Sequence, residues 1–412
     1  MNILLKNANV LTLDNNGISY STDIEVKDGS ISAIGKGLSA VDNSVVIDCS
    51  GAYVMPALFD SHAHLNTSEM GRLFIANGIT SVRNLCGAKR HLELDAEIRA
   101  GKSVGPYIYS SSPIYDGDGA QDRFEGHIYI STEEEAEKAV YDSIAAGFLW
   151  VKTYPSLTKE QTKRMLDTAN AAGIKVCGHM SHSIDAKFLC DWGYYCVEHS
   201  SSLPPHPADI AYLAQNGMWF CPTQVVCETL PDYVWNGKKL TDLEHYDYVP
   251  QPVRAYWEKY NASIIEGYKK RGLRPDIQVI IDRGRAFMEY SDQYMAGSDT
   301  MYPGMIAGFS LHEELERLVN LYGCTPYEAL RAATVNPALF MGLERQKGRL
   351  LPGMDADILI LNNNPLADIK NTRSIRGVIQ GDTYYDRPRL DAMLEEVRTM
   401  PDSEVEFLAP LL

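Results

Sequence analysis

Side chains of the kind that hold metal ions recur in this chain at the ends of short apolar runs, from His62 to Asp299. His62 and His64 stand two apart in DSHAHL, a spacing that puts both imidazoles on one face of an extended strand, where they can grip one ion. His179 ends KVCGH, His199 ends YCVEH and Asp299 ends MAGSD, so borderline and hard donors return strand after strand. Any one of these histidines reads equally well as a satisfied core or surface residue. Unrelated core histidines, however, have no reason to keep a common phase.

Lys152 lies in FLWVKTY, with apolar residues on both sides. An unpaired ammonium buried there is costly, and two arrangements relieve it. One is a salt bridge to a nearby carboxylate. The other is reaction of the neutral amine with carbon dioxide to a carbamate, an anion whose two oxygens can bridge two cations. Burial beside metal ions supplies the neutral amine that this second route needs.

The elements that would carry these residues alternate short strands with helical stretches. The candidate strands are VMPALFDSH, SVRNLC, YIYSSS, LWVKTY, KVCGHM, YCVEHS, MWFCPTQ and YMAGSDT. Eight such strands predict a (β/α)8 TIM barrel, which gathers its site at the C-terminal strand ends. STEEEAEKAVYDSIAAG and TKEQTKRMLDTANAAG are amphipathic and each ends at a glycine able to cap a helix. Both chain ends instead hold short β-rich runs broken by Gly, Asn and Asp, among them DIEVKDG, VVIDCSG and IRGVIQGDTYY. Residues 1–55 and 348–412 are therefore expected to meet in one small β-sandwich domain, with the barrel at 56–347. A long polar, aromatic stretch at about 227–289, with Trp235, Tyr246, Trp257 and Tyr260, reads as a lid insertion over the barrel mouth or as a longer helix pair.

Taken together, VIDCSGAYVMPALFDSHAHL, VKTY, CGHM, CVEHS, AGSDT, EALRAATVNPALFMGL and GRLLPGMDADILIL resemble the amidohydrolase superfamily across nearly the whole chain. VKTY followed by two later histidines is similar to its binuclear, carboxylated-lysine branch, which includes imidazolonepropionase-like proteins and Xaa-Pro dipeptidases (prolidases). The resemblance implies two divalent metal ions, with zinc the first expectation. His62, His64 and Asp299 would hold the buried ion and His179 and His199 the more exposed one, with Lys152 and a hydroxide bridging them. Asp299 would then also be catalytic, carrying the proton from water to the leaving nitrogen. His127, in FEGHIYI, resembles a Gly-His that faces the substrate in that branch, where it would stabilise an oxyanion or a substrate carboxylate; it reads equally as a surface-loop histidine. Two positions depart from the pattern: Ala57 stands where relatives usually have glycine, and Ser181, followed by His182, where many have histidine.

The implied activity is hydrolysis of an amide or peptide C–N bond in a small substrate, such as a dipeptide or an N-acyl amino acid, by the bridging hydroxide. A mononuclear cyclic-amide hydrolase or deaminase would not need Lys152. A non-catalytic barrel kept for assembly usually loses ligands, and here every position is filled.

With 412 residues, 45% of them hydrophobic and 22% charged, the composition is that of an ordinary globular protein. A net charge of -16 opposes docking on nucleic acid or an anionic membrane. The eight cysteines are scattered without a Cys-x-x-Cys pair and read as reduced core residues. The N-terminal stretch lacks the pattern of a secretory signal, so the expectation is a cytoplasmic protein with a small-molecule substrate, no membrane partner and scope for a homo-oligomer.

Overall fold

The computed structural model describes residues 2–121, 123–181, 183–272 and 274–409. The chain opens with strands Ile3–Val10 (β1), Ser19–Lys27 (β2), Ser30–Gly35 (β3), Val45–Asp48 (β4) and Tyr53–Pro56 (β5). Then follow Leu58–Ala63 (β6), Ile79–Asn84 (β7), Tyr107–Gly117 (β8), Ile128–Ile130 (β9), Trp150–Thr153 (β10), Lys175–Gly178 (β11), Tyr194–Glu198 (β12) and Trp219–Cys221 (β13). Asp357–Leu361 (β14), Ile375–Gln380 (β15) and Thr383–Asp386 (β16) come last.

Strands β6, β7, β8, β10, β11, β12 and β13 lie side by side in that order, all parallel, with β9 alongside β8. The eighth position is taken by residues 293–299, which bond on both sides. Met295 N–H donates to Phe220 O on β13 at 2.9 Å, and Ser61 N–H on β6 donates to Ala296 O at 2.9 Å. The barrel and its eight strands are thus as the alternating pattern predicted. Every residue of β6, β7 and β10 is buried. The ionisable ones among them, Asp60, His62, Arg83 and Lys152, consequently need partners or ions.

The two chain ends share a second sheet, ordered β16-β15-β14-β5-β1-β2-β3 with β4 beside β1. Its faces follow the period of two. On β14, Ile358 and Ile360 join Ile3, Leu5, Val10, Ile24 and Ile379 in a small core of their own. The alternate residues Leu359 and Leu361 join the barrel core. The sheet therefore curls over its own apolar face while its back rests on the barrel, the sandwich expected from the terminal runs.

Local signals set the helices. Thr132 and Glu135 form a capping box at Glu133–Ala146, which ends at Gly147 with φ of 90°. Thr158 and Gln161 do the same for Lys159–Ala172, ended by Gly173. Between β13 and the closing strand the chain forms helices Gln224–Trp235, Gln251–Arg271 and Ile277–Met288. Trp257 is fully buried and its indole N–H donates to Met301 O at 3.2 Å, tying this segment to the loop after Asp299. No helix among the described residues is long and apolar enough to cross a membrane, and all eight cysteines are free.

Candidate metal centre

All six residues singled out from the sequence lie at the C-terminal mouth of the barrel: His62 and His64 at the end of β6, Lys152 on β10, His179 after β11, His199 after β12 and Asp299 on the closing strand. One ligand atom from each of His62, His64 and Asp299 falls within 4.8 Å of the others. His64 Nε2 lies 3.1 Å and His62 Nε2 3.2 Å from Asp299 Oδ1, while His199 Nδ1 is 3.8 Å from Oδ2. The ring of His199 links the halves of the site, 4.6 Å from His62 and 4.4 Å from His179 between centroids.

These donors suit divalent cations. His64 Nδ1 and Lys152 Nζ are buried and have no hydrogen-bond partner among the described residues. Burial pushes His64 down to about 4 and His199 to about 3, so these two imidazoles are neutral, the form that binds metals. Burial would raise Asp299, but His62 and His199 beside it hold its carboxyl well below the usual range. Neutral imidazoles around a carboxylate form a nitrogen and oxygen set for zinc and its neighbours. Lys152 is 0% exposed, and no carboxylate pairs with it among the described residues, so the salt-bridge alternative finds no partner there.

The backbone is distorted where it delivers ligands. His199 has φ of 70°, Asp299 of 56° and Thr223 of 43°, all non-glycine residues at positive φ. Such conformations cost on the order of 1–3 kcal/mol each and persist where the surrounding structure imposes them. Thr223 Oγ1 shares a 2.6 Å hydrogen bond with His199 Nδ1. Gly178, just before His179, has φ of 141°, and a Cβ there would sit 2.1 Å from Thr153 O. A Cβ on Gly297 would meet His62 Cβ at 2.6 Å. Both glycines let ligand-bearing strands approach closely.

A cavity of about 240 Å³ opens onto His64, His179, His199 and Asp299. His127 is nine-tenths buried in its wall, with its ring 4.7 Å from Tyr154 and burial lowering it to about 4. Of the two readings, a surface-loop histidine does not hold. Tyr260, Pro275 and Ile280 from the inserted helices also line the cavity, as does Asn66. Residues 66–68 are held from outside by the C-terminal stretch, where Leu408 N–H donates to Asn66 O at 2.8 Å. His182 lies outside the described residues.

The pattern of the amidohydrolase family matches residues 53–383. The chain belongs to the amidohydrolase family. A dihydroorotase of Geobacter sulfurreducens is 29% identical over 191 residues, 43% of this chain and 42% of its own length. An adenine deaminase of Rubrobacter xylanophilus is 22% identical over 95% of this chain and 59% of its own. The chain thus spans less than two thirds of either relative. The structure of a candidate prolidase from Bifidobacterium longum is 25% identical, with a TM-score of 0.73 over 96% of this chain and 98% of that one.

Sequence reasoning passed over several residues that position the site of this amidohydrolase. Glu198 Oε2 accepts from His62 Nδ1 at 2.8 Å, and Arg83 grips Glu198 Oε1. Burial would raise Glu198, but Arg83 and His62 hold it well below the usual range. Asp60 accepts from Ser298 N–H at 2.9 Å and from His62 N–H at 3.2 Å, fastening the closing strand to β6; burial lifts it to about 6. A signal for the first pair was present: two charges inside apolar strands, SVRNLC and YCVEH, each needing a partner.

Proposed function

We propose that this amidohydrolase hydrolyses an amide or peptide C–N bond of a small substrate, such as a dipeptide or an N-acyl amino acid. Two divalent cations, zinc in the first instance, would be held by His62, His64, His179, His199, Asp299 and a carboxylated Lys152. The observation that carries this reading is Lys152, fully buried at the mouth with no partner for its Nζ among the described residues. An ammonium there adds positive charge to a site built for cations, whereas a carbamate supplies the anion the imidazoles lack.

Cations bound there lower the pKa of a water and polarise a carbonyl oxygen. The chain's own groups do the rest. The Asp299 carboxylate takes the proton of the attacking water and passes it to the leaving nitrogen. His127, in the cavity wall with no partner for its Nδ1 among the described residues, donates to the carbonyl oxygen as charge develops on it, or to a substrate carboxylate.

A second reading, one metal and a cyclic amide or amine substrate, draws on the His62, His64 and Asp299 set, which needs no lysine. The test is a screen of metal-loaded protein against dipeptides, Xaa-Pro dipeptides, N-acyl amino acids, lactones, cyclic amides and amino-substituted heterocycles. Turnover of a linear amide, lost on chelation and restored by metal, supports the first reading. Turnover confined to cyclic amides or amines favours the second, and none at all removes both.

A further inference from the structure

We infer that the amide carries an aromatic or branched apolar limb, seated in the cavity among Phe124, Tyr260, Tyr302, Val226, Ile280 and Met301. This names the substrate class of the site described above and rests on that amide-hydrolase reading.

The cavity wall is divided by chemistry. His64, His179, His199 and Asp299 line it, and the six residues named above are among its other lining residues. They come from five separate elements: the loop before β9, the helix Gln224–Trp235, the two inserted helices that follow it and the loop after Asp299. Apolar groups from such distant segments converge around an open cavity instead of packing shut. Phe124, Tyr260 and Tyr302 are only half-buried, so a ligand can still remove apolar surface from water.

The rings are set at angles suited to an inserted ring. Tyr260 stands 5.7 Å from Tyr302 at 89°, and 6.2 Å from Phe124 at 39°. Tilted and edge-on rings accept another ring edge-to-face or offset. Beyond the metal-binding side chains, the polar groups are those of Asn66, Ser201, Cys227, the tyrosines and His127, which is neutral at ordinary pH. Among the described lining residues no lysine or arginine stands ready for a negatively charged limb, and its desolvation would go uncompensated. At about 240 Å³ the space suits one ring beside an amide rather than an extended peptide.

Two matched series test this with the metal-loaded full chain: N-benzoylglycine against N-acetylglycine and N-succinylglycine, and N-acetylphenylalanine against N-acetylaspartate. Calorimetric affinity and kcat/KM are measured for each. The aromatic member is expected to lead by at least about tenfold in one series, the usual scale for filling an apolar pocket. That lead should shrink to about threefold or less in both Phe124→Ala and Tyr260→Ala, and Tyr260→Leu should restore part of it, with metal content unchanged in all three. Equal or better binding of the charged members, a lead that survives both truncations, or no aromatic binding overturns the inference. If aromatic compounds bind preferentially and none is hydrolysed, the inference stands and the hydrolase reading falls.

Discussion

The Glu198 carboxylate accepts a hydrogen bond from His62 Nδ1 at 2.8 Å, with both side chains fully buried in the barrel. Because Nδ1 is the donor, the lone pair of Nε2 points into the candidate metal centre. Arg83 neutralises the other carboxylate oxygen, and its guanidinium lies 4.7 Å from the centroid of the Phe340 ring. A histidine oriented in this way is a stronger and better-placed metal ligand than a free one.

Substituting Glu198→Leu removes that orientation and leaves Arg83 without its counter-charge. Metal affinity, measured by competition with a chromophoric chelator, should fall about 10- to 100-fold. Stability in urea should drop by about 3 kcal/mol or more, since one charge of a buried pair is left alone. The double replacement Arg83→Met with Glu198→Leu should recover much of the stability and none of the metal affinity. Recovery of both would show that the pair only fills space.

Gly297→Ala places a Cβ 2.6 Å from His62 Cβ and 2.7 Å from Cys221 Sγ, where neither neighbouring strand can yield freely. A loss of about 2 kcal/mol in chemical denaturation is expected, with reduced metal content. Gly35→Ala, with nothing within 4 Å of the added atom, should stay within about 0.5 kcal/mol of the parent. Equal effects at the two sites would contradict the close-approach argument.

His312 is buried far from the metal centre, with Nε2 3.0 Å from Asn77 O and Nδ1 2.9 Å from Thr372 Oγ1. Burial and nearby Arg373 push it down to about 4 from an ordinary 6.5. The unfolded chain therefore takes up this proton first as pH falls. Stability is intact above about 6.5, declines between there and about 4, and falls no further on this account below that. The gap is worth on the order of 3 kcal/mol. Denaturation across pH should show the decline, and His312→Gln should flatten it; an unchanged slope in the variant would count against the assignment.

His127→Ala should lower kcat/KM about 100-fold or more, on the scale of losing an oxyanion donor, with metal content unchanged. Elemental analysis beside steady-state kinetics separates this from a ligand role. A parallel fall in bound metal would make His127 part of the metal site.

The barrel and the shared mouth of six candidate residues were legible because both depend on local pattern: strand after strand, a donor follows an apolar run. The Arg83–Glu198 contact was not, since its partners are 115 residues apart and meet only when the barrel closes. Nor do propensities announce the positive φ of His199, Thr223 and Asp299, which the surrounding fold imposes. In the segment 227–289 composition left lid and helix pair open. The segment is helical, and aromatic content alone could not sort Trp257, which anchors it, from Tyr260, which lines the cavity.

Metal stoichiometry tests the central claim most directly. Elemental analysis of protein purified without chelator, with carbon dioxide present during metal loading, should give two divalent ions per chain. Lys152→Ala should hold fewer and lose turnover, and the parent's intact mass should carry one added carbon dioxide at Lys152. One ion or fewer in the parent, or an unmodified Lys152 whose replacement leaves occupancy and turnover unchanged, would contradict the two-metal account.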